Sequence, residues 1–343
     1  MWGLDCGRSI ASPILHLANR EECPEGCEEH SKRAATNLWE GRAERPVSVS
    51  ISQLRLRRSR GPRTAFVLSG GGNQAVSQLG MLRALLERDI IPDVVIGTSA
   101  GAFNGAAIAS SPTLESVERL VVTWESLRGD EVFPGGRLSR AWNLLTRDDH
   151  LFSNQGLRAL LESGSHPPNF DDLQLPLRVI ACDLETGEEV VFASGALGPA
   201  LLASAALPGL FPPIRHDGRI LVDGAVVDTV PLSHALAGPV DRVYVLNVAG
   251  ELLRRPLRSP IDVAVRAFTI SRKQRFDLEL RNVPERIDMV VLPAPADDRE
   301  LFDFTDPLML IEEAHHLAAR ALDQAELAKR RRLTMRRPWW RRT

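Results

Sequence analysis

Ser99 lies at the centre of the pattern Gly97-Thr98-Ser99-Ala100-Gly101. The β-branched residues 94–96 before it predict a short buried strand, and the small residues 102–109 after it predict a tightly packed helix. A serine at a sharp turn from strand to helix is a nucleophile elbow, in which the helix N-terminus favours negative charge at the serine oxygen. Because this pattern also arises by chance, the rest of the sequence must support the prediction.

A glycine-rich turn, Ser69-Gly70-Gly71-Gly72-Asn73-Gln74-Ala75, separates a predicted strand over 64–68 from a predicted helix over 76–88. The order strand, loop, helix, strand predicts a βαβ unit, in which this loop and Ser99 lie at the same carboxyl edge of a parallel sheet. Consecutive glycines let backbone N–H groups converge. Gly71, Gly72 and Asn73 are therefore predicted to form an oxyanion hole beside Ser99.

The glycine-rich turn has two other interpretations. Gly70-x-Gly72-x-x-Ala75 fits a relaxed dinucleotide-binding pattern, but such a site needs an acidic residue that closes the second strand. Here the strand closes with Ile96-Gly97-Thr98-Ser99, and Asp93 stands at its start. The remaining alternative is a tight turn that binds no ligand.

Asp223 follows a predicted apolar strand over 219–222 and is followed at once by Gly224. An Asp at the end of an apolar strand, followed at once by Gly, predicts a place where the backbone closely approaches another group, and the alternative is an ordinary Asp-Gly turn. Asp183 ends another predicted strand, over 177–182, and is predicted to stabilise a turn. Cys182 lies within that strand and is predicted to be an inert core thiol.

Composition places the chain among soluble globular proteins, since 44% of its 343 residues are hydrophobic and 25% are charged. No apolar run approaches the roughly 18 residues that a membrane span requires. A secretory signal is not visible, and four cysteines are too few for a disulfide scaffold, so we expect a cytoplasmic protein. Cys23, Cys27 and His30 have loosely metal-like spacing, but no second ligand pair follows, so we predict no metal site.

Charge divides the chain unevenly. The net charge of the chain is −2. Residues 329–343 carry eight Lys or Arg and no acid, so residues 1–328 have a net charge of −10. An acidic body argues against nucleic-acid binding.

We predict a poorly ordered extension over 1–62, a catalytic domain over 63–328 and a basic tail over 329–343. The tail contains Trp339 and Trp340, and it either docks on an anionic membrane or is a solubilising end.

Four motifs together resemble the patatin-like phospholipase family. They are the loop Ser69-Gly70-Gly71-Gly72, the pattern around Ser99, the triplet Asp223-Gly224-Ala225, and residues 203–213, which look like the family's A-S-x-A-x-P-x-x-F-P-P stretch. The resemblance covers residues 64–247, with a weaker fit to 320. It implies a three-layer α/β/α sandwich with a mainly parallel central sheet.

The resemblance also implies roles. Ser99 would be the nucleophile and Asp223 its general base, in a Ser–Asp dyad that uses no histidine and no cofactor. The glycines that support the motifs are Gly70, Gly97, Gly101 and Gly224. The substrate would be a lipid acyl ester, reached by peripheral association with a membrane. A histidine triad through His315 or His316 is the alternative if Asp223 is not the base.

Gln74 and Ala75 depart from the family pattern, which has Arg and Gly at these two positions. The loss of the cation weakens the positive field around an anionic head group or an oxyanion. The same dyad could also transfer the acyl group to an alcohol or lysolipid instead of water. A regulatory or lipid-binding member that keeps the fold without catalysis is the non-enzymatic alternative.

Overall fold

The computed structural model describes residues 62–127, 152–162, 166–248, 260–296 and 305–335. The predicted N-terminal extension, apart from Pro62, lies outside these residues, and so do Cys23, Cys27 and His30. Residues 336–343 of the predicted tail also lie outside them.

The described residues form eight strands and eight α-helices. The strands are β1 (Thr64–Leu68), β2 (Val94–Thr98), β3 (Leu177–Asp183), β4 (Glu189–Phe192), β5 (Ile214–His216), β6 (Arg219–Asp223), β7 (Arg242–Leu246) and β8 (Asp288–Leu292). The helices are α1 (Ser77–Leu86), α2 (Ala100–Ser110), α3 (Leu114–Ser126), α4 (Gln155–Glu162), α5 (Leu197–Ser204), α6 (Leu232–Leu236), α7 (Pro260–Arg281) and α8 (Pro307–Met335). No described helix is both long and apolar enough to cross a bilayer.

All eight strands belong to one mixed sheet, in which hydrogen-bonded neighbours run β5-β6-β3-β2-β1-β7-β8 and β4 also pairs with β3. The pairs among β3, β2, β1, β7 and β8 are parallel, whereas β4, β5 and β6 pair antiparallel. Strand β1 is buried throughout because it lies between β2 and β7. The prediction of a mainly parallel sheet is confirmed.

Successive side chains of β1 point to opposite faces of the sheet. Phe66 and Leu68 join an apolar cluster with residues of α1, α2, α3 and α8. Ala65 and Val67 join a second cluster with residues of α6 and with Phe276 of α7. Helices therefore cover both faces, and the three-layer arrangement is confirmed.

Helix α1 is buried more completely than one apolar stripe predicts, since nine of its ten residues are buried. Helix α8 covers the face that would otherwise meet solvent. The two helices cross closely because Gly80 has no side chain: a Cβ there would lie 2.1 Å from the Ile311 carbonyl oxygen. Helix α1 is also shorter than the predicted helix over 76–88, and a 3₁₀ turn, Gly72–Val76, precedes it.

The last helix crosses the predicted boundary between domain and tail. Helix α8 continues to Met335, so residues 329–335 extend a helix that packs on the domain. Lys329 Nζ lies 2.6 Å from the Asp288 carboxylate at the start of β8. The first part of the basic segment is thus attached to the fold.

Candidate active site

Strand register explains why Ser99 and Asp223 meet. Thr98 of β2 pairs with Ile180 of β3, and Asp223 of β6 pairs with the next β3 residue, Ala181. Strand β4 pairs with both of these β3 residues, so β2 and β6 share the opposite edge of β3. Because β6 runs antiparallel to β3, its C-terminal residue meets the end of β2, where Ser99 begins the turn into α2.

The Ser99 hydroxyl donates a hydrogen bond of 2.6 Å to Asp223 Oδ2, across 124 residues of sequence. Asp223 Oδ1 accepts a second bond, of 2.8 Å, from the Ala225 N–H, which fixes the carboxylate. Ser99 has φ 55° and ψ −130°. Such a conformation is costly for a residue other than glycine, and strain of this kind concentrates at functional sites.

The environment of Asp223 favours its neutral form. Its side chain is fully buried, and burial raises its pKa to about 6. The hydrogen bonds from Ser99 and Ala225 and the positive charge of Arg272 lower the pKa and only partly offset burial. A buried carboxylate of this pKa is a stronger base than a solvated one and is still ionised at neutral pH.

The glycine-rich loop passes directly beside the dyad, since a Cβ on Gly70 would lie 3.3 Å from Ser99 Cβ. Gly70 donates its N–H to the Thr229 carbonyl, so it is not available to a substrate. The N–H groups of Gly71 and Gly72 donate to no other described residue, because they precede the first bond of the 3₁₀ turn. Asn73 follows them and is buried.

The other motif glycines lie where backbone segments touch. A Cβ on Gly97 would lie 2.7 Å from Ala102 Cα, and one on Gly224 would lie 2.3 Å from the Ile180 carbonyl oxygen. A Cβ on Gly101 would lie 2.4 Å from the Ser69 carbonyl oxygen. At these three positions the backbones approach so closely that only glycine fits. The elbow, the glycine-rich loop and the Asp223 segment therefore pack directly against neighbouring backbone.

Ser204 has a positioning contact that the sequence analysis missed. Its hydroxyl accepts the Ser99 N–H at 2.8 Å and donates to the Ile180 carbonyl at 2.6 Å. The N–H of Ser99 is therefore already hydrogen-bonded within the protein. Ser204 lies in the stretch 203–213 that carried part of the resemblance, but nothing in the sequence indicated which residue it would contact.

A buried polar chain behind the loop was also missed. Gln78 Nε2 donates to the Ser69 carbonyl at 2.8 Å, and its Oε1 accepts from Asn104 Nδ2 at 2.9 Å. Asn104 Oδ1 in turn accepts from Trp124 Nε1 at 3.0 Å. Because buried polar groups are costly unless they are paired, this chain fixes α2 relative to the loop.

The remaining candidates lie elsewhere. His315 Nε2 lies 2.7 Å from Glu87 Oε2, and His316 is exposed on the same helix. Asp183 Oδ1 accepts from the Glu185 N–H at 3.0 Å, which confirms the predicted turn. Cys182 is buried, and burial raises the pKa of its thiol, as predicted for a core cysteine.

One group of described side chains has a metal-like arrangement. The ligand atoms of Glu189, Asp228 and His234 all lie within 4.8 Å of one another. Glu189 contacts His234 through Oε1, and Arg275 Nη2 lies 3.4 Å from Glu189 Oε2 and 3.2 Å from Asp228 Oδ2. The carboxylates of Glu189 and Asp228 therefore already pair with a cation of the protein itself, the Arg275 guanidinium. Burial, together with the charge of Glu279, raises the pKa of Asp228 to about 7.

Comparison with known proteins places the site in a family. Residues 66–236 match the family model described as patatin-like phospholipase. The chain is 31% identical over 247 residues to patatin-like phospholipase domain-containing protein 7 of Rattus norvegicus, which covers 70% of this chain and 17% of the relative. It is 27% identical over 206 residues to lysophospholipase NTE1 of Saccharomyces cerevisiae, covering 57% and 11%.

Both curated relatives are much longer than the matched segment. Among solved structures, human GIVD cytosolic phospholipase A2 aligns with a TM-score of 0.42 and 14% identity, covering 80% of this chain and 61% of that one. VipD from Legionella pneumophila aligns with a TM-score of 0.42 and 15% identity, covering 77% and 67%.

Proposed function

Because the chain belongs to the patatin-like phospholipase family through residues 66–236, we propose that it hydrolyses lipid acyl esters with Ser99 as nucleophile and Asp223 as general base. The observation that carries the proposal is the 2.6 Å hydrogen bond from Ser99 Oγ to the Asp223 carboxylate. The substrate class is an acyl ester of phospholipid or lysophospholipid type. The chemistry requires no cofactor.

In the proposed reaction, Asp223 Oδ2 takes the Ser99 proton as Oγ attacks the ester carbonyl carbon. The oxyanion that forms accepts hydrogen bonds from the Gly71 and Gly72 N–H groups and lies near the N-terminus of α2. When the ester C–O bond breaks, the leaving alkoxide takes the proton from Asp223 and an acyl-enzyme remains. Water then attacks this ester, gives its proton to Asp223, and the fatty acid leaves as Ser99 recovers the proton.

Covalent labelling with a fluorophosphonate probe tests the proposal directly. The probe should modify Ser99, identified by mass spectrometry of the labelled peptide, and Ser99→Ala should abolish labelling. Ser110→Ala, a change on the same helix, should leave it intact. Folded protein that resists the probe would favour a non-catalytic member of the family.

The pH dependence of the rate should report Asp223. The general base must be ionised, so kcat/KM should rise with pH to a plateau, with half the plateau value near pH 6, where the pKa of Asp223 lies. Below that pH, kcat/KM should fall about tenfold per unit. The measurement is kcat/KM for a neutral soluble ester between pH 4 and 9.

A histidine could titrate in the same pH range, so variants must separate the two cases. His315→Asn and His316→Asn should leave the midpoint of the profile unchanged. A midpoint near 4 would show that burial does not raise the pKa of Asp223, and a midpoint that disappears in either histidine variant would exclude Asp223 as the base.

We further propose that the basic tail docks the protein on anionic lipid. Residues 336–343 carry four arginines and two tryptophans, and each basic residue near an anionic surface contributes about 1 kcal/mol. A chain that ends at Met335 keeps α8 and the Lys329–Asp288 contact intact. It should sediment less with anionic vesicles than the full chain, and 0.5 M salt should remove the difference.

Neutral vesicles are the control for the tail, because docking by charge predicts little binding of either chain to them. Equal sedimentation of the two chains with anionic vesicles would show that residues 336–343 do not anchor the protein on the membrane.

A further inference from the structure

Arg272 of α7 is a cation whose hydrogen-bonding capacity is largely unused. Its side chain is half-buried, and its guanidinium carbon lies 4.0 Å from the centre of the Phe268 ring, which orients it. Its Nε is buried and has no hydrogen-bond partner in the part of the chain that the structure describes. A guanidinium has five N–H donors, and buried donors of this kind are usually paired. Because the Nε is enclosed, an external acceptor would bind the Nη groups of Arg272, which donate to no described residue.

The geometry of α7 turns Arg272 toward the segment that follows Asp223. One turn further along the helix, Arg275 donates to the Val227 carbonyl oxygen at 2.5 Å. Val227 lies four residues after Asp223, and residues i and i+3 of a helix share a face. The face of α7 that carries Arg272 therefore packs against the segment that follows Asp223. The charge of Arg272 also lowers the pKa of Asp223, so the two groups interact.

The glycine-rich loop offers no positive charge, since residues 70–75 include neither Lys nor Arg. An anionic group of a substrate that reaches Ser99 must find its cation on another element. Arginine suits a phosphate group because its planar fork can donate two parallel hydrogen bonds to two phosphate oxygens. We propose that Arg272 binds the phosphate of a phospholipid or lysophospholipid substrate and so selects phosphate-bearing esters over neutral ones. This inference rests on the proposed function of the dyad.

Two esters with the same reacting part test the proposal. The pair is 1-lauroyl-lysophosphatidylcholine and 1-lauroylglycerol, which share the acyl chain and the glycerol and differ by the phosphocholine group. Arg272→Gln should lower kcat/KM for the lysophospholipid by about 10- to 100-fold, the factor expected from charge-assisted hydrogen bonds. It should lower kcat/KM for the glycerol ester about threefold or less, and Arg272→Lys should give an intermediate loss on the lysophospholipid.

The ratio of the two kcat/KM values is the decisive quantity, because it does not depend on how much of a variant is folded. Lys273→Gln is the matched control: Lys273 neighbours Arg272 but is exposed and pairs with Asp277 at 2.9 Å. This change should leave the ratio as it is in the unaltered protein.

Each other outcome overturns the assignment in a different way. Equal losses on both esters, with the acidic limb of the pH profile moved to higher pH, would mean that Arg272 acts only through Asp223. An unchanged ratio with unchanged rates would mean that it has no role in recognition. Labelling of Ser99 with cleavage of only the glycerol ester would leave the dyad standing and remove the phosphate site. Absence of both labelling and cleavage would overturn the proposed function itself, and the phosphate site with it.

Discussion

Replacement of Ser99 by Ala, or of Asp223 by Asn, is expected to lower kcat/KM for ester hydrolysis at least about a hundredfold. The first change removes the nucleophile. The second removes the proton acceptor, because the Asn side chain keeps the shape of Asp but cannot take the Ser99 proton. The two changes together should cost little more than either alone, since each disables the same step.

Neither change should unfold the protein. The pKa of Asp223 is about 6 in the fold, against 3.8 for an unperturbed Asp. A raised pKa of this kind contributes stability at low pH that is lost as the pH rises through about 6. At pH 8 the buried carboxylate is ionised, so the neutral Asn should leave the free energy of unfolding unchanged or raise it.

Two matched variants separate loss of chemistry from loss of structure. Ser110→Ala removes a hydroxyl that donates to the Ala106 carbonyl on the same helix. Asp183→Asn changes a buried carboxylate that also ends a strand and stabilises a turn. Both should retain kcat/KM within about threefold. Substantial activity in Asp223→Asn would exclude the dyad and favour a histidine as the general base.

The meeting of Ser99 and Asp223 was predictable only from the motifs taken together, because each motif alone leaves an alternative open. A β-branched run followed by a small-residue helix indicates the elbow, and an apolar strand before Asp-Gly indicates where a second chain segment approaches. Only the resemblance to a family predicted that these two positions form one site. The register that brings them together was not predictable, since it depends on which β3 residues pair with β2, β4 and β6.

The supporting contacts were not predictable for a similar reason. Ser204 contacts Ser99 across 105 residues, and Gln78 contacts the Leu246 carbonyl across 168. Short polar side chains of this type occur throughout the sequence, and only the packed structure distinguishes the few that are buried. Arg272 is a further case, because it is one of 42 basic residues and only its surroundings set it apart.

Replacement of Gly101 by Ala should lower both stability and activity. The added Cβ would lie 2.4 Å from the Ser69 carbonyl oxygen and 2.6 Å from that of Leu68. Neither carbonyl can move easily: Leu68 ends the central strand, and Gln78 holds the Ser69 carbonyl at 2.8 Å. Helix α2 must therefore shift away from the loop, and the free energy of unfolding should fall by about 3 kcal/mol, the upper range for overpacking.

The same shift should impair catalysis in the molecules that remain folded. Ser99 directly precedes α2, so movement of this helix carries its hydroxyl away from the Gly71 and Gly72 N–H groups, and kcat/KM should fall more than about tenfold. Denaturant titration and ester hydrolysis below the transition measure the two effects separately. Gly198→Ala is the control, because a Cβ at that helical position meets nothing within 4 Å. It should be neutral or stabilising by up to about 1 kcal/mol. If Gly101→Ala unfolds at the same denaturant concentration as Gly198→Ala and keeps its activity, the close contact between elbow and loop does not constrain the site.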